Sequence, residues 1–230
     1  MKHLILAGTM VVAWTASVLA GPVTLFSPEP GMRFAASDAG GAQPSAVNAA
    51  ALQPGVLSAG DRVVVEPTPG LVLTVVVARV STDINGTLSL QGTVEGYSDA
   101  TLLLSFSGGQ VLGTVEMPGG GHKYVIRYDA SLRQHTSREV MAGEGDELED
   151  APSPIPRAAV SASAEPARAL EDVPAAQATI DVMIVYTTNA LVWAGGTSGI
   201  NNAMAQAILR GQQAMDNSGA QVTLRLVHSA

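Results

Sequence analysis

The sequence contains no cysteine. This absence excludes disulfide bonds, thiolate metal sites and cysteine nucleophiles together. Stability must therefore come from the packing of apolar side chains, which make up 47% of the 230 residues. That amount is sufficient for one or two packed domains.

Basic residues are also few, with 12 Lys and Arg against 20 Asp and Glu, a formal charge of -8 and a pI near 4.8. Proteins that bind nucleic acids cluster Lys and Arg on one surface to neutralise phosphates. The basic residues here are scattered along the chain. We therefore expect no nucleic-acid partner.

Histidine is scarce as well, with four residues: His3, His122, His135 and His228. A hydrolytic zinc site usually needs three protein ligands, commonly including two histidines one helical turn apart. No two of these histidines have that spacing, and each is interpreted as a surface or structural residue. The sequence thus predicts no catalytic, cofactor-binding or metal-ligating residue at any position, and no cofactor in this chain.

Three further patterns have only a weak resemblance to catalytic motifs. The run Gly96-Tyr97-Ser98-Asp99-Ala100 loosely matches a serine nucleophile elbow, but a predicted strand follows it where a helix is required. The run Gly195-Gly196-Thr197-Ser198-Gly199 lacks the spacing of a dinucleotide site and the lysine of a P-loop, so it predicts a turn and a helix cap. Glu95 and Glu116 could form an acid pair across strands, although such residues usually lie on solvated faces.

The amino terminus has the pattern of a secretory signal. Lys2 and His3 precede an apolar stretch from Leu4 to Trp14, and Val18-Leu19-Ala20 fits a cleavage site. A retained membrane anchor is the alternative, but the apolar run is short and interrupted. We expect residues 1–20 to be a signal peptide and the product to be secreted or periplasmic, with no membrane partner after cleavage. In an exported protein, the lack of cysteine suits a bacterial source.

Composition divides the remainder into four parts. Residues 21–60 are rich in Ala, Pro, Gly and Ser and predict a flexible arm, with one short strand at Val23 to Phe26. Residues 61–140 carry short runs of Val, Leu, Thr and Tyr separated by glycine-bearing turns, which predicts an antiparallel β-sandwich or small barrel. In the run Thr101 to Phe106, alternation places Leu102, Leu104 and Phe106 on the core face and Leu103 on the other. The predicted strands are Arg62 to Glu66, Leu71 to Val80, Thr87 to Val94, Ala100 to Phe106, Val111 to Glu116, His122 to Arg127 and Arg133 to Val140. Residues 141–178 combine acidic residues with prolines and predict an extended, cleavable linker.

Residues 179–230 predict a strand, a helix and a second strand. Ile180 to Thr187 is apolar on both faces, as in the middle of a covered sheet. A helix capped by Thr197 or Ser198 follows, and Gln221 to Val227 alternates as a strand, so the three elements form a crossover. The expected buried stripe of the helix is Ile200, Ala203, Met204, Ala207, Ile208, Gly211, Ala214 and Met215. One helix shields one face only, so the segment is predicted to be an incomplete α/β domain in a chain that is α+β overall.

This last segment resembles the opening of the catalytic domain in bacterial reprolysin-like zinc metallopeptidases of the metzincin group. The likeness rests on the strand Ile180 to Tyr186, the helix from about Ser198, and Ser218-Gly219 leading into Val222 to His228. An upstream likeness to the pro-segment of that family rests on Gly92 to Gly96, Thr101 to Leu104, Val111 to Val115 and Tyr124 to Arg127. Together these stretches cover about half of the chain.

The resemblance implies a secreted zymogen with a signal, a β-rich pro-domain, a cleavable linker and a zinc endopeptidase domain. The HExxHxxGxxH motif of the family is absent from the sequence, so zinc is implied only for a full-length relative and no ligand is assigned here. The cysteine that blocks zinc in some pro-segments is also absent, so any inhibition would be steric. The leading hypothesis is a fragment or truncated form of such a zymogen, itself inactive, whose partners are a protease catalytic domain or a substrate protein.

Two other hypotheses remain open. One is a stand-alone exported β-domain that binds a protein or glycan, or that inhibits or chaperones a protease. The other is an enzyme with a carboxylate site in the β-domain.

Overall fold

The computed structural model describes residues 21–29, 41–141 and 178–230. The predicted signal peptide and nearly all of the predicted linker lie outside these ranges, so both stay predictions. Within them, no helix has the length and apolar character needed to cross a membrane.

The first two described stretches form a closed barrel of nine strands, with neighbours in the order β1-β2-β9-β8-β7-β6-β5-β4-β3. A 3₁₀ turn at Pro118–Gly120 joins β7 to β8. The strands are β1 (Val23–Pro28), β2 (Gln43–Val47), β3 (Arg62–Val65), β4 (Leu73–Thr82), β5 (Leu88–Val94), β6 (Thr101–Ser107), β7 (Gln110–Met117), β8 (His122–Asp129) and β9 (Gln134–Met141). Of the two architectures that the sequence left open, the structure has the small barrel.

The barrel is closed by residues that we had predicted to form a flexible arm. Strand β1 pairs antiparallel with β2 and parallel with β3, and β2 continues antiparallel to β9. Leu25 is fully buried and Leu52, in the loop after β2, is equally buried. The described part of residues 21–60 therefore belongs to the barrel, because its few large apolar side chains lie in the interior.

The barrel interior is filled with apolar side chains. Leu102, Leu104 and Phe106 of β6 all lie in this core, as the alternation along the strand predicted. A buried polar pair also joins the neighbouring strands β2 and β9, where Ser45 Oγ donates to Ser137 Oγ at 2.8 Å and Ser137 Oγ donates to the carbonyl of Pro67 at 2.8 Å. Each hydroxyl therefore has a hydrogen-bond partner in the packed interior.

Gly92 in β5 allows two barrel strands to approach closely. A Cβ atom at this position would lie 2.5 Å from Val75 Cγ1 and 2.8 Å from the carbonyl oxygen of Val76. Because one of these atoms is backbone, we expect Gly92→Ala to destabilise the barrel by about 1–3 kcal/mol, as overpacking does elsewhere. Urea denaturation measures the change. Gly119→Ala is the control, since a Cβ there meets nothing within 4 Å, and an equal loss in both variants would contradict the prediction.

The last described stretch forms a compact β-α-α-β segment, here called the C-terminal unit (residues 178–230). It consists of β10 (Ala178–Ile184), α1 (Thr188–Trp193), α2 (Thr197–Asn217) and β11 (Val222–Ser229). Strands β10 and β11 pair in parallel, as a crossover requires. The short helix α1, capped by Thr187, was not anticipated from the sequence.

Two details of α2 differ from the prediction. The residue at its N-cap is Gly196, whose φ of 99° favours glycine, and no side chain caps the helix there. The buried surface is also different, because Ala207 and Ala214 are exposed whereas Asn202, Gln206, Leu209 and Gln212 are buried. The helix is covered on two faces rather than one, and the second covering layer is the barrel.

Candidate functional site: the barrel face that holds helix α2

Helix α2 lies between two β layers. On one side it packs over β6 and β7 of the barrel, with smaller contact to β5, and on the other side it packs on β11. The outer face of the barrel that α2 covers is here called the docking face. Leu103 belongs to it, because this side chain is 1% exposed yet points away from the barrel interior that Leu102 and Leu104 fill.

Buried amide side chains connect α2 to the docking face. Asn202 Nδ2 donates to the carbonyl of Gln110 at 3.0 Å, and Gln206 Nε2 donates to the carbonyl of Leu112 at 2.9 Å. In the opposite direction, Ser105 Oγ lies 3.2 Å from the carbonyls of both Leu112 and Asn202 and can donate to either. These bonds fix the position of the helix along the strands, because each needs a particular backbone carbonyl as its acceptor.

One glutamine connects α2 to the sheet on its other side. Gln212 Nε2 donates to the carbonyl of Val222 at 2.8 Å and to Asp216 Oδ1 at 2.7 Å, while its Oε1 accepts the N–H of Leu224 at 2.8 Å. Gly211 permits this close approach, since a Cβ there would lie 2.8 Å from Leu224 Cδ1. The helix thereby connects β11 to the barrel.

Polar contacts surround the interface. Arg79 of β4 lies 3.4 Å from Asp216, and Arg210 of α2 lies 3.9 Å from Glu116 of β7. Asn85, in the turn between β4 and β5, donates through Nδ2 to Ser229 Oγ at 3.1 Å. Partly exposed pairs of this kind add little to stability, so the buried apolar and amide contacts hold the helix in place.

The face of the β10–β11 sheet that points away from α2 is open and carries both apolar and charged side chains. Met183 is 64% exposed and Val227 is 40% exposed, although both lie in strands. Asp181 and Arg225 form a two-point ion pair on the same face. Among the described residues, α2 covers one face of this sheet and leaves the other open; that the segment is an incomplete α/β domain stays a prediction.

The structure separates the three histidines that it describes, while His3 lies outside the described residues. His122 contacts Glu139 at the end of the barrel, and His135 Nε2 accepts the N–H of Val111 at 3.0 Å. His228 lies exposed in β11. Across the described ranges, no group of three His, Asp or Glu side chains is placed to hold a metal ion. That the chain carries no cofactor stays a prediction.

The hydrogen bond to His135 makes the barrel sensitive to acid. Burial lowers the pKa of His135, because desolvation disfavours the imidazolium. The folded state thus favours the neutral ring. The stability that the neutral ring contributes is present above the unfolded-state pKa of about 6.5, and it is lost as the pH falls through the lower pKa of the folded state.

We expect wild-type stability to fall between pH 7.5 and pH 5 by more than that of His135→Gln. The glutamine carbonyl can accept the same N–H without titrating, and the lost bond is worth about 1 kcal/mol. Thermal unfolding across this pH range measures the difference. Parallel pH profiles for the two proteins would show that His135 is not responsible.

The other weak motifs are not assembled into a reaction centre. Ser98 and His122 both line an opening of about 560 Å³ at one end of the barrel, but no hydrogen bond joins them among the contacts of the described residues. Strand β6 follows Ser98, so no helix supplies oxyanion donors. Glu95 and Glu116 each lie beside a cation, with Arg62 at 2.7 Å from Glu95 and Lys123 at 3.8 Å from Glu116.

Sequence patterns missed Asn202, Gln206 and Gln212, because a search for apolar stripes disregards amides. One signal was present, since no charged residue occurs from Thr197 to Leu209. A surface helix normally carries charges on its exposed side, so their absence over three turns is typical of a helix covered on more than one face. The arrangement can bind and position a helix.

Comparison of the chain with known protein families, with curated proteins and with solved structures gives no match in any of the three.

Proposed function

We propose that the barrel is the pro-domain of a secreted zinc metallopeptidase precursor and that β10, α2 and β11 open its catalytic domain. The observation that carries this proposal is the docking of α2, whose buried amides bond to carbonyls of β7 while its opposite side bears the parallel sheet. Export through the signal at residues 1–20 is part of the proposal.

The docking face supplies a layer that the C-terminal unit lacks by itself. A single helix on two parallel strands buries little apolar surface, and the barrel covers the side of α2 that faces away from those strands. Leu209 and Leu103, at 4% and 1% exposure, show that the barrel side of α2 is a closely packed interface. Such a face suits a pro-domain that stabilises the opening elements of its own catalytic domain while the rest folds.

The same contacts support a steric form of inhibition. The chain has no cysteine that could ligate a zinc ion from the pro-domain, so restraint has to come from surfaces in contact. Because α2 is held between two layers, the strands β10 and β11 that pack on it have little freedom to shift. Release then requires the barrel to separate from α2, which cleavage between the two would permit.

The coding sequence that follows codon 230 provides the first test. We expect it to encode an HExxHxxGxxH helix, in the same or another reading frame. An immediate stop codon followed by unrelated sequence would remove the basis for the proposal and favour a stand-alone binding domain.

The chain of 230 residues has its own expected result. It contains no HExxH sequence, so the purified protein should bind less than stoichiometric zinc by mass spectrometry and should not hydrolyse casein. Stoichiometric zinc or measurable hydrolysis would refute the assignment of the barrel as a non-catalytic pro-domain.

A precursor extended through the zinc helix tests the chaperone role. Ser105→Arg places a long cation on the docking face, where Ser105 is fully buried, and should lower the yield of active peptidase after refolding. Ser98→Arg is the matched control, because Ser98 lies in an exposed turn. Equal yields from the two variants would contradict a role for the docking face.

A further inference from the structure

A small cleft lies beside the docking face, where β7, β8 and β9 meet the junction of α1 and α2. Its volume is about 180 Å³, and its walls include Leu112, Val125 and Ala203, with Trp193 at the rim. An apolar cavity of ~150 Å³ accommodates a ligand of the size of benzene. The cleft therefore has room for one small apolar group.

Two guanidinium groups line this cleft. Val125 pairs with Arg138 across β8 and β9, and Arg127 is the next outward-facing residue of β8, so the two arginines are diagonal neighbours on one face. Among the contacts of the described residues, neither arginine forms an ion pair, and Arg138 Nε is buried without a hydrogen-bond partner. Two neighbouring cations that have no ion-pair partner within the described ranges form a site suited to an external anion.

The closest acid in sequence, Asp129, is engaged elsewhere. Its carboxylate accepts the Ser131 hydroxyl at 2.6 Å and the Ser131 N–H at 2.9 Å, and it also accepts the N–H of Leu132 at 3.1 Å. These bonds, led by the hydroxyl, lower the pKa of Asp129, and the charge of Arg127 adds to the effect. The carboxylate is thus ionised and fixed in its own turn.

An unsatisfied acceptor completes the site. Asn202 lines the cleft and is 2% exposed. Its Nδ2 donates a hydrogen bond to the carbonyl of Gln110. Its Oδ1 is buried and has no partner within the described chain. A buried carbonyl oxygen without a donor is costly, and a ligand N–H would satisfy it.

We propose that this cleft binds the free C-terminal carboxylate of a peptide whose last residue has a small apolar side chain. The carboxylate accepts hydrogen bonds from Arg127 and Arg138, the N–H of the last residue donates to Asn202 Oδ1, and the side chain lies against Leu112, Val125 and Ala203. An aspartate or glutamate side chain would satisfy the arginines but would leave the apolar walls empty. This inference does not depend on the proposed function.

Isothermal titration calorimetry of the full chain with N-acetyl-L-valine tests the site, with N-acetyl-L-valinamide as the uncharged control. We expect the acid to bind, the amide to bind at least tenfold more weakly, and the affinity for the acid to fall as salt is added. Equal binding of acid and amide, or no binding of either, would overturn the proposal. An amidated acidic peptide that bound as well as N-acetyl-L-valine would also overturn it.

Variants of the arginines locate the binding. Arg127→Gln and Arg138→Gln should each weaken binding of N-acetyl-L-valine about tenfold or more, as the loss of a charge-assisted hydrogen bond does. Arg62→Gln is the control, because Arg62 lies in β3 and pairs with Glu95. Should Arg138→Gln fail to fold, Arg127→Gln decides the question, since Arg127 is exposed at the edge of the cleft. Unchanged affinity in a folded Arg127→Gln protein would refute the assignment.

Discussion

Replacing Leu103 with alanine is expected to destabilise the attachment of the C-terminal unit by about 3 kcal/mol while the barrel stays folded. Leu103 is 1% exposed and lies outside the cluster that fills the barrel, on the face that α2 covers. Truncating a buried leucine removes apolar burial and leaves a cavity, at a typical cost of about 2–5 kcal/mol. The cavity here would open between the barrel and α2.

The adjacent residue provides a matched control. Leu102 is fully buried in the barrel interior, so Leu102→Ala should lower the stability of the barrel itself by a similar amount. Urea denaturation monitored by circular dichroism separates the two cases, because loosening of the C-terminal unit removes helical signal before the barrel unfolds. Identical single transitions in the two variants would contradict separate roles for the two faces of β6.

Replacing Gln212 with methionine is the second change with a large expected effect. Methionine has a similar volume, so packing is preserved, but the bonds to Val222, Asp216 and Leu224 are lost. Leaving the N–H of Leu224 without its acceptor should destabilise the attachment of β11 to α2 by about 2–3 kcal/mol. Hydrogen exchange of the β11 amides measures the effect.

Gln213→Met is the control for Gln212. Gln213 makes one bond to the docking face, in which its Nε2 donates to Thr101 Oγ1 at 3.2 Å, and it is less buried than Gln212. We expect a loss below about 1 kcal/mol for this variant. A greater effect at Gln213 than at Gln212 would show that the bonds across the helix to β11 matter less than those to the barrel.

The sequence predicted local structure well wherever side chains alternate. Leu102, Leu104 and Phe106 could be assigned to the core because period-two alternation separates the two faces of a strand. The hairpin turns could be located because glycines such as Gly86 and Gly108 occupy positive φ. The barrel strands from β3 to β9 lie within a few residues of the predicted ones.

Barrel closure could not be predicted in the same way. It depends on the parallel pairing of β1 with β3 and on the pairing of β2 with β9, where Ser45 lies opposite His135. Neither pair is joined by a short turn, and β2 is a short strand that contains Pro44. No local pattern specifies which distant strands meet, so these residues were interpreted as an arm.

The candidate site was equally hidden from local patterns. Leu103 was placed correctly on the face opposite the core, but nothing in its own strand indicates that a distant helix, Thr197–Asn217, covers it. Asn202 and Gln206 are polar, so an apolar-stripe search assigns them to solvent. Their burial follows from the presence of the docking face, which only the assembled structure reveals.

Hydrogen exchange under native conditions, read by mass spectrometry over residues 197–229, tests the central claim that the docking face holds the C-terminal unit. In the wild-type chain we expect protection of α2 and β11, and in Leu103→Ala we expect that protection to fall about a hundredfold while peptides of β6 and β7 keep theirs. Unchanged protection of α2 in Leu103→Ala, or its loss together with that of the whole barrel, would contradict the account.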